Sequence, residues 1–239
     1  MENMINILGQ DVTNGISVIS AVRNREANLL VALKSWLQFQ EIDEIIIVDW
    51  TSKVPLIINR DDVKIFRVEQ EDRWCLSKAF NLAATLSSRN KICKLDADYV
   101  LKKDFFKQHV LRDGIFYTGN YRTARDANEM CLNGFFYSYR KDFLNVGGFH
   151  EDMMVYGWAD CDLYLRLQGL GLLKTDIDCD FIEHLEHSDK SRGFVDTDND
   201  LAENKAIATN KPWSANIKMS RFHMIEESKN YYTCYRTKI

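Results

Sequence analysis

Apolar positions in the first hundred residues switch between two periods. Ile16-Ser17-Val18-Ile19-Ser20-Ala21 has strand character. After it, Leu29, Leu30, Leu33, Trp36 and Leu37 recur at three- and four-residue spacing, which predicts a helix. Ile45-Ile46-Ile47-Val48 is a continuous β-branched run, the mark of a parallel strand buried on both faces. It stops at Asp49-Trp50-Thr51-Ser52. Val63 to Val68 alternates as a third strand. A second helix is predicted from about Ser77 to Ser87, with Phe80, Leu82, Ala83 and Leu86 apolar. Ile92-Cys93-Lys94-Leu95 is a fourth strand, ended by Asp96. The order β-α-β-β-α-β predicts an α/β fold with a doubly wound, mostly parallel sheet flanked by helices. Such sheets bind ligands beyond the carboxyl ends of their strands. That rule brings Ala21 to Arg25, Asp49 and Asp96 to Asp98 to one edge.

The second half has a different texture. Ile115 to Thr118 and Gly134 to Tyr139 read as aromatic strands. Arg140 to Asn145 reads as a short helix stopped by Gly147-Gly148, Asp160 to Gly169 as a further helix, and Asp178 to Glu183 as a strand leading to His184-Leu185-Glu186-His187. From about Gly193 the chain is polar, with a helix expected from Leu201 to Thr209 and an aromatic tail after it.

Composition narrows the class. The 239 residues are 46% hydrophobic and 28% charged, which suits a soluble globular chain with a core. A net charge of −4 does not give the basic footprint of a nucleic-acid binder. Two prolines and no Gly/Ser-rich linker favour a single domain with a C-terminal extension. No apolar run approaches the roughly 20 residues of a membrane span, and Met1 to Gly9 has no signal-peptide pattern. Six scattered cysteines without a C-x-x-C read as reduced thiols. The expected location is cytoplasmic, with room for peripheral association at the inner face of the membrane.

Five polar clusters carry candidate chemistry, and each has an ordinary structural reading beside it. Arg23-Asn24-Arg25 follows strand one, where a guanidinium fork suits a diphosphate; it equally suits a solvated helix start with Asn24 as N-cap. Asp49 is placed to accept from a nucleobase or ribose, or to make an Asp/Thr/Ser turn. Asp96-Ala97-Asp98 offers hard carboxylates to Mn²⁺ or Mg²⁺, or forms a β-turn. Asp160 in Gly157-Trp158-Ala159-Asp160 lies at a helix N-terminus, which favours an ionised carboxylate; it serves there as general base or as a helix cap. His184-x-x-His187 suits a transition metal, although a lone histidine pair is more often structural. No Gly-rich phosphate-binding fingerprint is present.

The order of these pieces resembles the glycosyltransferases of the GT-A fold. The N-terminal part resembles glycosyltransferase family 2, and "NGFFYSYRKDFLNVGGFHEDMMVYGWADCDLYLRL" resembles the C-terminal part of the β-1,4-galactosyltransferase family and bacterial chondroitin-type polymerases. The resemblance runs from Ile16 to Ser191. It implies a domain over residues 1–195, with a nucleotide-binding half to residue 100 and an acceptor and metal half from 101. A helical and irregular extension follows over 196–239. It also implies a nucleotide-sugar site at Arg23, Arg25, Asp49, Lys78, Asp96 and Ala97, and an acceptor site at Gly134, Tyr156 and Trp158. Asp160 is implied as catalytic base, and Asp98 with His187 and a more variable His184 as ligands of Mn²⁺ or Mg²⁺. The implied partners are a UDP-sugar donor and a glycan or lipid-linked saccharide acceptor, with no nucleic acid. Two departures stand out. Ala159 precedes the base where the family has Glu, and Trp50 follows Asp49 where it has Asp. Three competing readings are a sugar-phosphate nucleotidyltransferase, which would want a Gly-rich loop after strand one, a glycoside hydrolase using two carboxylates, and a catalytically silent sugar binder on the same fold.

Overall fold

The structure, a computed structural model, describes residues 12–155, 157–187, 197–210 and 218–237. The first half follows the expected order: β1 (Thr13–Val22), α1 (Glu26–Trp36), β2 (Ile42–Trp50), β3 (Val63–Glu69), α2 (Leu76–Leu86) and β4 (Arg89–Lys94). β1 is central, parallel to β2 on one side and to β4 on the other. The β2 run divides its side chains between two layers. Ile46 and Val48 pack with Phe80, Ala83 and Ala84 of α2, while Ile45 and Ile47 pack with Leu29, Leu33 and Trp36 of α1. Both faces of the strand are thus dry, which is why its sequence does not alternate.

The second half adds β5 (Tyr99–Leu101), α3 (Phe105–Gln108), β6 (Ile115–Thr118), α4 (Ala127–Met130), β7 (Phe136–Tyr139), α5 (Arg140–Asn145), α6 (Ala159–Gly169), β8 (Leu173–Asp176), β9 (Ile182–His184), α7 (Thr197–Asn210), β10 (Phe222–Ser228) and β11 (Tyr231–Arg236). The main sheet runs β10-β11-β3-β2-β1-β4-β7-β6-β8, and β5 pairs with β9 in a separate two-stranded ribbon. The sheet is mostly parallel; antiparallel pairing is confined to β10–β11, β4–β7 and β6–β7.

Two expectations change. Residues 222–236 of the extension are not helical or irregular. They form a hairpin whose second strand lies parallel to β3, with Tyr232 stacked on Phe66 at 4.6 Å between centroids. Its turn uses Asn230 at φ 64°, a conformation Asn tolerates better than most residues. The strand expected over Asp178 to Glu183 is instead a 3-10 turn, Cys179–Phe181, followed by β9. The Asp178 carboxylate accepts from Asp180 N at 2.9 Å and so favours the turn.

Gly147 and Gly148 end α5 in left-handed conformations, φ 77° and 65°. The Asn81 side chain, buried on α2, then holds the next residue by accepting from Phe149 N (2.8 Å) and donating to Phe149 O (2.9 Å). A Cβ on Gly148 would collide with Asn81 Oδ1 and crowd the Phe143 ring. Gly148→Ala is expected to lower unfolding free energy by about 1–3 kcal/mol from backbone strain alone, read as a lower urea midpoint with unchanged m-value.

Candidate active site

Strand register sets the geometry of the open edge. Val22 pairs with Asp49 and Ile19 with Lys94, so β1, β2 and β4 end near one another. A cleft of about 570 Å³ lies there, lined among others by Arg23, Arg25, Asp96, Asp98, Asp160 and both histidines of the His-x-x-His segment. Ala97, Gly134 and Trp158 also line it. Tyr156 lies outside the described residues.

The ribbon of β5 and β9 brings the histidines to the Asp-x-Asp turn. Tyr99 pairs with His184, and Leu185 N donates to Asp98 O at 2.7 Å. Asp98 Oδ2 then lies 3.7 Å from His184 Nε2 and 3.3 Å from His187 Nε2, and the two ring nitrogens are 3.2 Å apart. Burial pushes the His184 pKa below its ordinary value, and the Asp98 charge only partly offsets this, so the ring is neutral and able to ligate near pH 7. Asp98 Oδ2 accepts from Arg25 Nη2 at 2.6 Å, while buried Asp98 Oδ1 has no hydrogen-bond partner. One carboxylate and two imidazoles, with potential ligand atoms all within 4.8 Å of one another, fit a borderline divalent cation such as Mn²⁺ better than Mg²⁺.

Asp160 is the second residue of α6 and not its cap. Trp158 occupies the cap position at φ 68°, with no side-chain capping bond. The Asp160 carboxylate is therefore left to the cleft, and its buried Oδ1 has no hydrogen-bond partner. Burial raises its pKa above the ordinary carboxylate value, against the opposing charge of Lys94. The loop before it holds two further left-handed residues, Val155 at φ 58° and Gly157 at φ 89°. Asn204 of α7 pins this loop. Its side chain donates to Met154 O (2.8 Å) and Gly157 O (3.2 Å) and accepts from Met154 N (3.1 Å).

Arg23 lines the cleft while donating to Asp72 O at 2.7 Å. Two expected site residues are not brought in. Lys78 sits on α2 and does not line the cleft, although Ser77 and Phe80 do. Asp49 is fully buried, paired with Arg67 Nη1 at 2.7 Å and accepting from Ser52 N and Leu56 N. It organises the turn after β2, which borders a smaller recess lined by Val22, Asn24, Arg25, Ser52 and Leu56. Asn24 is not a helix cap. It adopts φ 57° and accepts from Lys53 N, tying the β1–α1 turn to this same segment.

Two residues that sequence reasoning passed over belong to the site. Asn204 carried no local signal. Lys94 did, as a lone charge in an apolar strand directly before Asp-x-Asp. It is fully buried, and its Nζ donates to Asp96 Oδ1 (2.8 Å) and Gly134 O (2.6 Å) and lies 3.8 Å from Asp160 Oδ1.

A mostly parallel sheet in this strand order, with a cleft at its open edge, has the GT-A fold. Residues 17–113 match the model of glycosyl transferase family 2. The catalytic domain of Drosophila β1,4-galactosyltransferase 7 bound to xylobiose superposes with TM-score 0.64 at 11% identity, over 95% of this chain and 96% of that one. The same Drosophila enzyme, as a mutant, has been solved with manganese, UDP-Gal and xylobiose. GalNAc-T7 with UDP, GalNAc and Mn²⁺ gives 0.61 at 14% identity, over 74% of this chain and 44% of that one. The Pyrobaculum calidifontis mannosyltransferase PcManGT with GDP-Man and Mn²⁺ gives 0.53 at 13% identity, over 70% and 57%. At these identities the likeness is one of fold. No curated protein matches the sequence. No helix among the described residues is long and apolar enough to cross a membrane.

Removing Asp49 would leave Arg67, whose side chain is only 10% exposed, with Glu69 as its remaining carboxylate, and would leave Ser52 N and Leu56 N without their acceptor. Asp49→Ala is expected to cost about 3 kcal/mol of unfolding free energy, as for other broken buried pairs, measurable by urea denaturation monitored by circular dichroism.

Proposed function

We propose that this protein is a metal-dependent inverting glycosyltransferase that moves a sugar from a UDP-sugar to an acceptor hydroxyl. The observation that carries this reading is that a metal-ligating trio, Asp98, His184 and His187, and the unpartnered carboxylate oxygen of Asp160 line the same cleft. The UDP end would lie along Arg23 and Arg25, with the uridine in the recess beside the Asp49 turn. Asp49 then supports that recess through Ser52 and Leu56 rather than touching the base.

Asp160 takes the acceptor proton as the hydroxyl oxygen bonds to the anomeric carbon and the bond to the diphosphate oxygen breaks. A single displacement with one base inverts the anomeric centre. The sugar ring gains oxocarbenium character in passing. Arg23 and Arg25 face the negative charge that gathers on the leaving diphosphate. A divalent cation held by Asp98, His184 and His187 would supply further Lewis-acid stabilisation of that charge. Trp158 and Gly134 line the acceptor side, and the loop that Asn204 pins sets the acceptor boundary. Polysaccharide or glycan assembly in a bacterial setting, at the cytoplasmic side of the membrane, rests on the family resemblance. A panel of UDP-sugars assayed with Mn²⁺ for UDP release tests the reaction, and no release from any of them would reject it.

Asp160→Asn is expected to retain Mn²⁺-dependent UDP binding by calorimetry while turnover falls by about 100-fold or more. His187→Ala is expected to weaken Mn²⁺-dependent UDP binding by at least about tenfold; an unchanged isotherm removes His187 from the metal site. The pH dependence follows from burial. A raised Asp160 pKa means that the ionised base is fully present only above that value. At saturating Mn²⁺ and donor, kcat is expected to fall on acidification at a pH above the ordinary carboxylate range.

A further inference from the structure

Lys94 occupies a position whose neighbours within the sheet are apolar. Its neighbours across the sheet are Ile19 on β1 and Phe136 on β7, both fully buried. Phe80 of α2 covers it, with Nζ 4.5 Å from the ring centroid. An ammonium taken fully out of water costs several kcal/mol, and replacing such a buried ion pair with apolar groups is often neutral or stabilising. Packing therefore does not account for this lysine; its contacts suggest what does.

The ammonium joins three segments at the cleft. From the β4 turn it holds Asp96 at 2.8 Å, and beneath β7 it holds the Gly134 carbonyl at 2.6 Å. From α6, Asp160 Oδ1 stands 3.8 Å away, too far for a hydrogen bond and close enough for a strong charge interaction. Gly134 makes the approach possible. A Cβ there would sit 3.1 Å from Asp96 Oδ2, 3.2 Å from Tyr99 Oη and 3.4 Å from Lys94 Nζ. The other titratable groups near Asp160 are the Tyr99 and Tyr164 hydroxyls and the Cys161 thiol, all pushed up by burial and neutral. Among the described residues Lys94 is thus the cation that faces the base, and it faces it alongside Asp96.

We infer that Lys94 is a positioning residue whose single buried charge is shared between Asp96 and Asp160, binding the donor-side turn and the general base into one electrostatic unit. Its ammonium stays charged, because the charges of Asp96 and Asp160 outweigh burial. Two carboxylates on one cation leave one net negative charge. The carboxylate without the direct hydrogen bond, Asp160, is the more basic of the two, because burial raises its pKa and the Lys94 charge only opposes that rise. The catalytic meaning rests on the glycosyl-transfer reading, but the charge sharing does not, and the two are tested separately.

The charge sharing is read in metal-free protein labelled with ¹³C at the aspartate carboxyls. The Asp160 resonance is assigned by its absence in Asp160→Asn. Lys94→Met, which keeps the side-chain volume, is expected to move the Asp160 titration up by about 1 pH unit or more, the effect of losing an opposite charge at this range. Thermal stability is expected to fall, because the single substitution leaves Asp96, Asp160 and the Gly134 carbonyl without their cation. Should Lys94→Met fail to fold, Asp96→Asn provides the converse test. It leaves the whole Lys94 charge to Asp160, and the titration should move down. An Asp160 titration that stays put in the folded variant overturns the proposal. With a UDP-sugar turned over by the wild type, the acid limb of kcat should follow the same displacement in Lys94→Met; a limb that does not move refutes the positioning role. Absence of turnover in the wild type would count against the glycosyltransferase reading and leave the titration to decide the charge sharing.

Discussion

The edge of the sheet is governed by the difficulty of keeping carboxylates out of water. Four aspartates gather at or near the ends of β2, β4 and α6, and each needs a cation or donors. Asp49 has Arg67 and two backbone amides. Asp96 has Lys94, and Asp98 has Arg25 with two imidazoles close by. Asp160 has only a share of Lys94 at a longer distance. This gradation divides the labour. Asp49, with all its partners, is buried away from the cleft, whereas Asp98 and Asp160 each keep one oxygen there without a hydrogen-bond partner.

The ribbon of β5 and β9 is small, yet it joins distant parts of the chain. Three paired residues place His184 against Tyr99 and carry His187 to within 3.3 Å of Asp98. A residue pair 89 positions apart in sequence thereby becomes a compact cluster, built on strands too short to be stable alone.

Much of this was legible from the chain. The Ile45 to Val48 run announced a two-face buried strand, and periodicity placed α2 to within one residue and revealed α1 through Leu29, Leu30, Leu33 and Trp36. The Asp-x-Asp turn, Asp160 and the histidine pair were legible because polar groups at strand and helix ends are unusual where a core demands apolar ones. What escaped depended on long-range pairing. Nothing local in Tyr231 to Arg236 says that it lies beside β3, and nothing local in Asn204 says that it holds Met154 and Gly157. Asp49 looked like a nucleotide contact because strand ends favour one; its burial follows from Arg67, whose side chain reaches across the Asp49–Arg67 register pair. Lys94 was visible but read as part of a strand, since a charge in an apolar run reveals its partners only in three dimensions.

Two late segments tie down earlier parts of the chain, Asn204 at a distance of 47 to 50 residues and β11 at 166. β11 completes the sheet beside β3, and Asn204 holds the loop that carries Trp158 to the cleft. On the ribosome, where folding proceeds from the N-terminus onward, β1 to β4 can assemble while the loop that carries Trp158 still lacks its clasp. A chain cut before residue 204 would therefore keep the β1–β4 edge and lose the clasp on the loop that carries Trp158.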